Sequence, residues 1–489
     1  MQLRWPCRQV CSVMKKLILI MWLCVHALAA RAELPDADLP SPVAGALQKI
    51  GLPAEDVSVY VQALAEQPAQ LKPPVLSHQA TVALNPASTM KLVTSYAGLS
   101  LLGPSYRWKT EVYTDGVLRD GVLNGNLYLK AYGDPNFMTG DFWRLLNTLR
   151  QLGVQDIQGD LVVDNSYFAS KAQAAGNFDG EASRAYNATP SALAFNLKAS
   201  SFRFDSDAST VSIALEPNLS AIKVNNLLKI GKADCAAWRS GFSYDVKQVG
   251  DTALVTFSGS YAPNCSNKYL ELLVLDEGTY TLQMFKKLWH ELGGNFNGVL
   301  RAQNVPDNAL KLLQQDSKPL AQILPEINKW SNNLMARQLL LTIAAEKMGA
   351  PATEANGAEV LSHWLSTAGL NFNEMVIDNG SGLSRIERIS ARHMGELLVS
   401  AYYSPVMPEL MASLPILAVD GTMQKRMLES PLQGRAHLKT GTINGVYTLA
   451  GYVLGKNGQR YVVVFMANHA KVALTKPAQE ALLQWVYEQ

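Results

Sequence analysis

The texture of the chain changes twice along its length, and this limits the architecture more than any single residue does. From about 106 to 303 the sequence is a run of short strand-like pieces, among them RWKTEVYTDG, GNLYLKAYGD, GDLVVDNSYF, SSFRFDSD and STVSIALEP, separated by Gly, Asn and Asp. Apolar residues at every second position, bounded by turn formers, are what half-buried strands require. One clear helical pattern, over 142–152, interrupts them. Before this tract, residues 33–55 read as a Pro- and Ala-rich leader into a strand at 56–64 (DVSVYVQAL), and a helix is expected over 88–102. From Lys318 the chain turns helical again, through LMARQLLLTIAAEKMG and ARHMGELLVSAYY. It closes with three strand candidates, AHLKTGTI, VYTLAGYVLG and QRYVVVFMANH, and a helix over 477–487. The expected fold is α/β (α+β): one discontinuous domain of 33–105 and 304–489, split by a β-rich insertion of 106–303 that forms two small domains.

The first 32 residues stand apart. Arg4, Arg8, Lys15, Lys16 and Arg31 lie there and no acid does; Met14-Lys15-Lys16 precedes an apolar run over 17–30 and then Ala30-Arg31-Ala32. A basic start, an apolar stretch and a small-x-small site make a secretory signal, with cleavage expected before Glu33. The apolar run falls short of the roughly 20 residues of a spanning helix, so the expectation is an exported protein, free of the membrane once the signal is removed. Without this segment 38 basic residues face 41 acidic ones, a net of −3, which excludes the basic excess of a nucleic-acid binder. Cys7, Cys11 and Cys24 leave with the signal. Cys235 and Cys265 remain as a disulfide candidate in an exported chain, with two buried thiols as the alternative.

Three short motifs carry chemistry. Ser88-Thr89-Met90-Lys91 is a Ser-x-x-Lys at a helix start, Ser331-Asn332-Asn333 a Ser-x-Asn at a helix junction, and Lys439-Thr440-Gly441-Thr442 lies on a strand. A serine hydroxyl is a weak nucleophile and needs a base within reach. Residues i and i+3 share a helix face, so Lys91 can serve Ser88; it accepts a proton only if burial and a second cation, here Lys439, lower its pKa. Ser331 can relay a proton to the leaving group and Asn333 can hold a substrate amide. The strand at Lys439 can pair with an extended peptide, and the backbone N–H groups of Ser88 and Thr442 would stabilise an oxyanion. Taken singly each motif is weak: Ser88 would read as a helix N-cap, and a second Ser-x-x-Lys, Ser12 to Lys15, falls by accident within the signal.

Together the motifs resemble the set shared by β-lactamases and penicillin-binding proteins. The whole mature chain is similar to the low-molecular-mass class C penicillin-binding proteins, which are D-alanyl-D-alanine carboxypeptidases and endopeptidases of the DacB type. Leu102-Gly103-Pro104, Tyr132-Gly133-Asp134-Pro135, the run from Asp378 to Ser384, and Gly445-Val446-Tyr447 add to the likeness. The resemblance implies a β-lactamase/transpeptidase-like domain, with an antiparallel sheet flanked by helices, interrupted after the nucleophile helix by two smaller domains. It implies attack on the D-Ala-D-Ala bond of peptidoglycan stem peptides, or on their D-Ala-diaminopimelate crosslink, and covalent inhibition by β-lactams. Lys439, Thr440 and Thr442 would meet the terminal carboxylate, and Gly441 and Arg385 would contact the substrate. An acid–aromatic pair in the insertion, Asp179 or Glu181 with Tyr186, would meet the diaminopimelate end. Asn332 replaces a frequent Asp, and Asn444 stands where some relatives carry Gln.

No metal or organic cofactor is implied. His290-Glu291 lacks the second histidine of a zinc helix, and His437, on the strand face of Lys439, reads as a supporting or surface residue. Two rival readings stay open. A serine β-lactamase shares the acylation step, but its second motif follows the first far more closely. A catalytically silent peptidoglycan-binding module would have no need of intact Ser88, Lys91, Ser331 and Lys439.

Overall fold

The computed structural model describes residues 36–169, 176–232 and 234–489; the expected signal and its cleavage point lie outside them. The apolar strands from the two ends of the chain are brought together. Val57–Ala63 pairs antiparallel with Arg460–Asn468, which pairs with Val446–Leu454 and then Ala436–Ile443, while Leu76–His78 lines the opposite edge. The inner strands are apolar at consecutive positions because both faces of the sheet are covered. Tyr60, Val462, Val464 and Met466 join a core shared with helices Met90–Leu102, Leu320–Lys329, Asn333–Met348 and Ala391–Tyr402. Alternate residues such as Val59, Val61, Val463 and Phe465 are equally buried, as side chains alternating across a strand require. Helix Ser41–Lys49 packs against the closing helix Lys476–Glu488, so part of the expected leader is structure. Pro42 within its first turn suits the start of a helix and hides it in a Pro-rich stretch.

The tract from 106 is strand-rich, as its alternation predicts. Lys109–Thr114, Leu127–Ala131, Leu161–Asp164 and Leu300–Ala302 form a sheet completed by Leu310–Asp316. That last strand lies beyond 303 and pairs antiparallel with Lys109–Thr114. Two three-stranded sheets, one of Ser200–Ser206, Val211–Glu216 and Lys268–Leu272 and the other of Ile222–Ile230, Phe242–Val249 and Thr252–Tyr261, make a second group. A second helix, Glu277–Glu291, joins the expected one, which runs over Thr139–Gln151. Cys235 and Cys265 are bonded, with Cα atoms 5.4 Å apart. Among the described residues no helix is long and apolar enough to cross a membrane.

Helix Asn333–Met348 ties the two regions together. Its Leu339, Leu340 and Ile343 belong to the core under the terminal sheet, and its Leu341, Ala344 and Ala345 to the core of the inserted region. A helix buried on opposite faces needs apolar residues all round, and this sequence provides them. Its first turn, which carries Asn333, is therefore clamped from two sides.

Candidate active site

Ser88 lies in the turn Ala87–Thr89 that leads into helix Met90–Leu102. It caps nothing; the hydrogen bond its Oγ receives comes from Lys91 Nζ at 3.1 Å. Ala87, just before it, holds φ +44°, a left-handed conformation that costs a non-glycine residue about 1–3 kcal/mol and survives only where the surroundings enforce it. Two glycines do the enforcing. A Cβ on Gly441 would come within 2.8 Å of Pro86 O and 2.9 Å of Ser88 N, and one on Gly382 would overlap the Ala87 carbonyl. The strand from Lys439 and the Asp378–Ser384 run can thus press directly on the nucleophile turn. Thr448 Oγ1 pins the same turn by donating to Pro86 O at 2.7 Å.

Lys91 is fully buried, and its ammonium faces neutral oxygens: Ser88 Oγ, Asn333 Oδ1 at 2.7 Å and Ser381 O at 2.5 Å. Burial pulls its pKa down to about 7, against the opposing pull of the Glu387 carboxylate. Lys439, also fully buried, donates to Ser331 Oγ at 2.9 Å and to Thr440 O at 2.7 Å. Burial first, and then the charge of Lys91, push it well below the usual lysine range. The structure therefore gathers Lys91 with Ser88 and Asn333, and Lys439 with Ser331, into two hydrogen-bonded groups near enough for the charge of Lys91 to act on Lys439. Asn332 turns away from it and caps the following helix, its Oδ1 accepting from Met335 N at 3.0 Å.

The strand Ala436–Ile443 is the edge of its sheet. Leu417 N donates to Ala436 O and Leu438 N to Pro415 O, so the peptide groups of these alternate residues point off the edge. The alternation of an antiparallel ladder then points those of Thr440 and Thr442 the same way. Among the described residues no strand pairs with this second half of the edge. Thr440 Oγ1 lies 2.8 Å from Thr422 Oγ1.

Arg385 sits at the rim, its Nη1 donating to Asn444 O at 2.9 Å and its guanidinium 4.4 Å from the Phe178 ring centre. The expected acid–aromatic pair resolves to Asp179 and Tyr186, whose hydroxyl donates to Asp179 Oδ2 at 2.8 Å; Glu181 pairs with Arg184 instead. Tyr186 reaches the site through its backbone, where its carbonyl accepts from Asn333 Nδ2 at 3.1 Å. His437 stays outside, 3.2 Å from Met411 O. One participant escaped the sequence reading. Glu387 is wholly buried and accepts from the N–H groups of Asn379 at 3.1 Å and Gly380 at 2.9 Å. Burial lifts its pKa to about 7.

A nucleophilic serine touching a lysine of lowered pKa, beside a second buried lysine and an open strand edge, is the arrangement of an acyl-transfer enzyme acting on extended peptides. The D-Ala-D-Ala carboxypeptidase 3 (S13) family model matches residues 42–489. The chain belongs to the S13 D-Ala-D-Ala carboxypeptidase family. Among its S13 relatives, the D-alanyl-D-alanine carboxypeptidase DacB of Haemophilus influenzae is 28% identical over 389 residues, 78% of this chain and 80% of that protein. A D-alanyl-D-alanine carboxypeptidase of an Actinomadura species is 29% identical over 392 residues, covering 77% and 72%. The crystal structure of penicillin binding protein 4 (dacB) from Haemophilus influenzae superposes with a TM-score of 0.75 at 26% identity, covering 92% of this chain and 100% of that one. As an S13 family member the chain is a serine-type, penicillin-binding D-Ala-D-Ala carboxypeptidase, a hydrolase with the mixed α/β fold of that structure.

Proposed function

We propose that the protein cleaves D-Ala-D-Ala in peptidoglycan stem peptides, and the D-Ala-diaminopimelate crosslink, through a Ser88 acyl-enzyme. The observation that carries this reading is the 3.1 Å contact between Ser88 Oγ and a fully buried Lys91 whose pKa falls to about 7. Near neutral pH a large share of Lys91 is uncharged and can take the Ser88 proton as Oγ attacks the D-Ala carbonyl carbon. The developing oxyanion is met by the N–H groups of Ser88 and Thr442, and the substrate chain extends the sheet along Thr440 and Thr442. Ser331 relays to the departing amine the proton that Lys91 took from Ser88, so the C–N bond breaks and Lys91 is neutral again for the second step. Lys439 is the cationic partner of the terminal carboxylate: burial makes its free ammonium costly, and an arriving carboxylate restores the charge. Water then attacks the acyl-enzyme, its proton going to Lys91, and Ser88 leaves as an alcohol. Arg385, Asp179 and Tyr186 border the path of the stem.

The same reading places the protein in the periplasm, with its leader removed before Glu33 and Cys235 and Cys265 oxidised as that compartment allows. It also takes 33–105 with the segment following the inserted sheet as the catalytic domain. Intact mass after incubation with benzylpenicillin, beside Ser88→Ala, tests the nucleophile. One drug mass added to the native protein and none to the variant is the expected result. Adduct on both, or on neither, removes Ser88 from the role.

A further inference from the structure

A cleft of about 850 Å³ opens from the Ser331–Asn333 junction and runs along the inserted region. It lies within the roughly 300–1,000 Å³ of sites that enclose a sizeable ligand, far more than a departing D-alanine needs. At its catalytic end stand Trp330 and Tyr186, which leave 61% and 42% of their surfaces exposed. Large aromatic faces left in solvent beside a site call for an occupant. The far wall is polar and comes from separate elements: Glu216 and Glu271 from strands of the second group, Asn218 from the loop after Val211–Glu216, and Lys287 from helix Glu277–Glu291. Ser201 Oγ donates to Glu271 Oε1 at 2.7 Å, which orients that carboxylate along the cleft wall.

We infer that this cleft binds the glycan to which the stem peptide is attached, with Trp330 and Tyr186 as platforms for sugar faces and Glu216, Asn218 and Glu271 as partners for sugar hydroxyl and acetamido groups. The inference rests on the carboxypeptidase reading above. Asn333, which can hold a substrate amide, stands at the mouth of the cleft with its Nδ2 bonded to Tyr186 O at 3.1 Å, so a stem whose acyl-side amide is held there leads past Tyr186 into the cleft. A stem of four residues spans at most roughly 14 Å, so its sugar must sit close by. Carboxylates accept hydrogen bonds and cannot donate them, which suits hydroxyl donors. A second stem peptide, with its own free carboxylates, would meet like charge at Glu216 and Glu271, while Lys287 on the same wall is already paired with Glu291 at 2.8 Å.

The test compares kcat/KM for D-alanine release from a free pentapeptide stem and from the same stem on its disaccharide, in the native protein and in Glu216→Gln/Glu271→Gln. Both carboxylates are exposed, and the benzylpenicillin acylation rate reports that the variant is folded. The expected ratio is about tenfold in favour of the sugar-bearing stem, falling towards one in the variant. A native ratio near one, or a high ratio that survives in the variant, overturns the inference. So does a variant whose loss appears instead on a sugar-free crosslinked peptide, since that assigns the cleft to peptide. If no stem is cleaved and no penicillin adduct forms, the carboxypeptidase reading itself fails, which is a separate result.

Discussion

Lys91 beside the nucleophile and Glu111 in the inserted sheet are both buried ionisable groups, and their surroundings push them in opposite ways. Glu111 lies on strand Lys109–Thr114 and is 4% exposed. Burial alone would raise its pKa, but hydrogen bonds from Lys311 at 2.7 Å, Tyr132 at 2.6 Å and Tyr113 at 2.8 Å, with the charge of Lys109, hold it at about 2. Lys91 has three partners too, yet all are neutral oxygens, and its charge is left costly. Burial sets the stakes in both places; the charge of the partners decides the outcome. One region fixes a charge for stability, and the other keeps a proton easy to remove.

The comparison breaks if the lysine proves structural. Lys91→Met keeps the volume and removes the base, so acylation by benzylpenicillin should slow by about 10³-fold or more. Stability should hold or rise. A lysine whose folded pKa is lowered from 10.5 to about 7 is less protonated in the folded chain than in the unfolded one, which costs about 4 kcal/mol at pH 7. Acylation kinetics and thermal melts on the same sample decide it: a variant that melts early yet acylates normally would reverse the assignment.

Glu111→Gln should do the reverse, leaving acylation intact and lowering stability at neutral pH by about 3 kcal/mol, from a pKa shifted from 4.5 to about 2 at 1.36 kcal/mol per unit. The folded pKa is depressed, so this contribution is present above pH 4.5 and is lost as pH falls through about 2. Melting temperatures of native and variant should converge on acidification. A constant gap down to pH 2 would mean that the carboxylate charge is not what the lysine and tyrosines hold.

Most of the catalytic frame was legible because it is built from local pattern. Ser88 and Lys91 share a helix face by spacing, and Val57–Ala63, Val446–Leu454 and Arg460–Asn468 announce themselves as apolar β-branched runs. Helix Glu277–Glu291 was missed although Tyr280, Met284, Phe285 and Leu288 recur at helical spacing, since its opening Gly-Thr-Tyr-Thr continues the strand-like texture before it. The strand Leu310–Asp316 is absent from the expected strands because only its distant partner, Lys109–Thr114, defines it. The roles of Tyr186 O, Thr448 and Glu387 are set by tertiary approach alone; a glutamate in Arg385-Ile386-Glu387-Arg388 looks like a surface charge until the fold buries it.

Glu387 gives the finest test. It holds the backbone of Asn379 and Gly380, next to the Ser381 carbonyl that accepts from Lys91, and its carboxylate opposes the lowering of the lysine. With Lys91 as the proposed base, the acylation rate should rise with pH through about 7 and then level. Glu387→Gln keeps the side chain's shape and oxygen acceptor while removing its charge, so Lys91 should lose its proton more readily and the rise should move to lower pH. The move should be under about one unit, since burial already lifts Glu387 to about 7 and leaves it largely neutral through the lower half of the rise. Stability carries the matching sign. A carboxyl whose folded pKa is raised stabilises the fold fully below pH 4.5 and loses that contribution as pH rises through about 7, so the variant's melting temperature should vary less across that window. An unmoved acylation profile together with an unchanged melting profile would show that Glu387 acts through the shape of its loop and not through its charge.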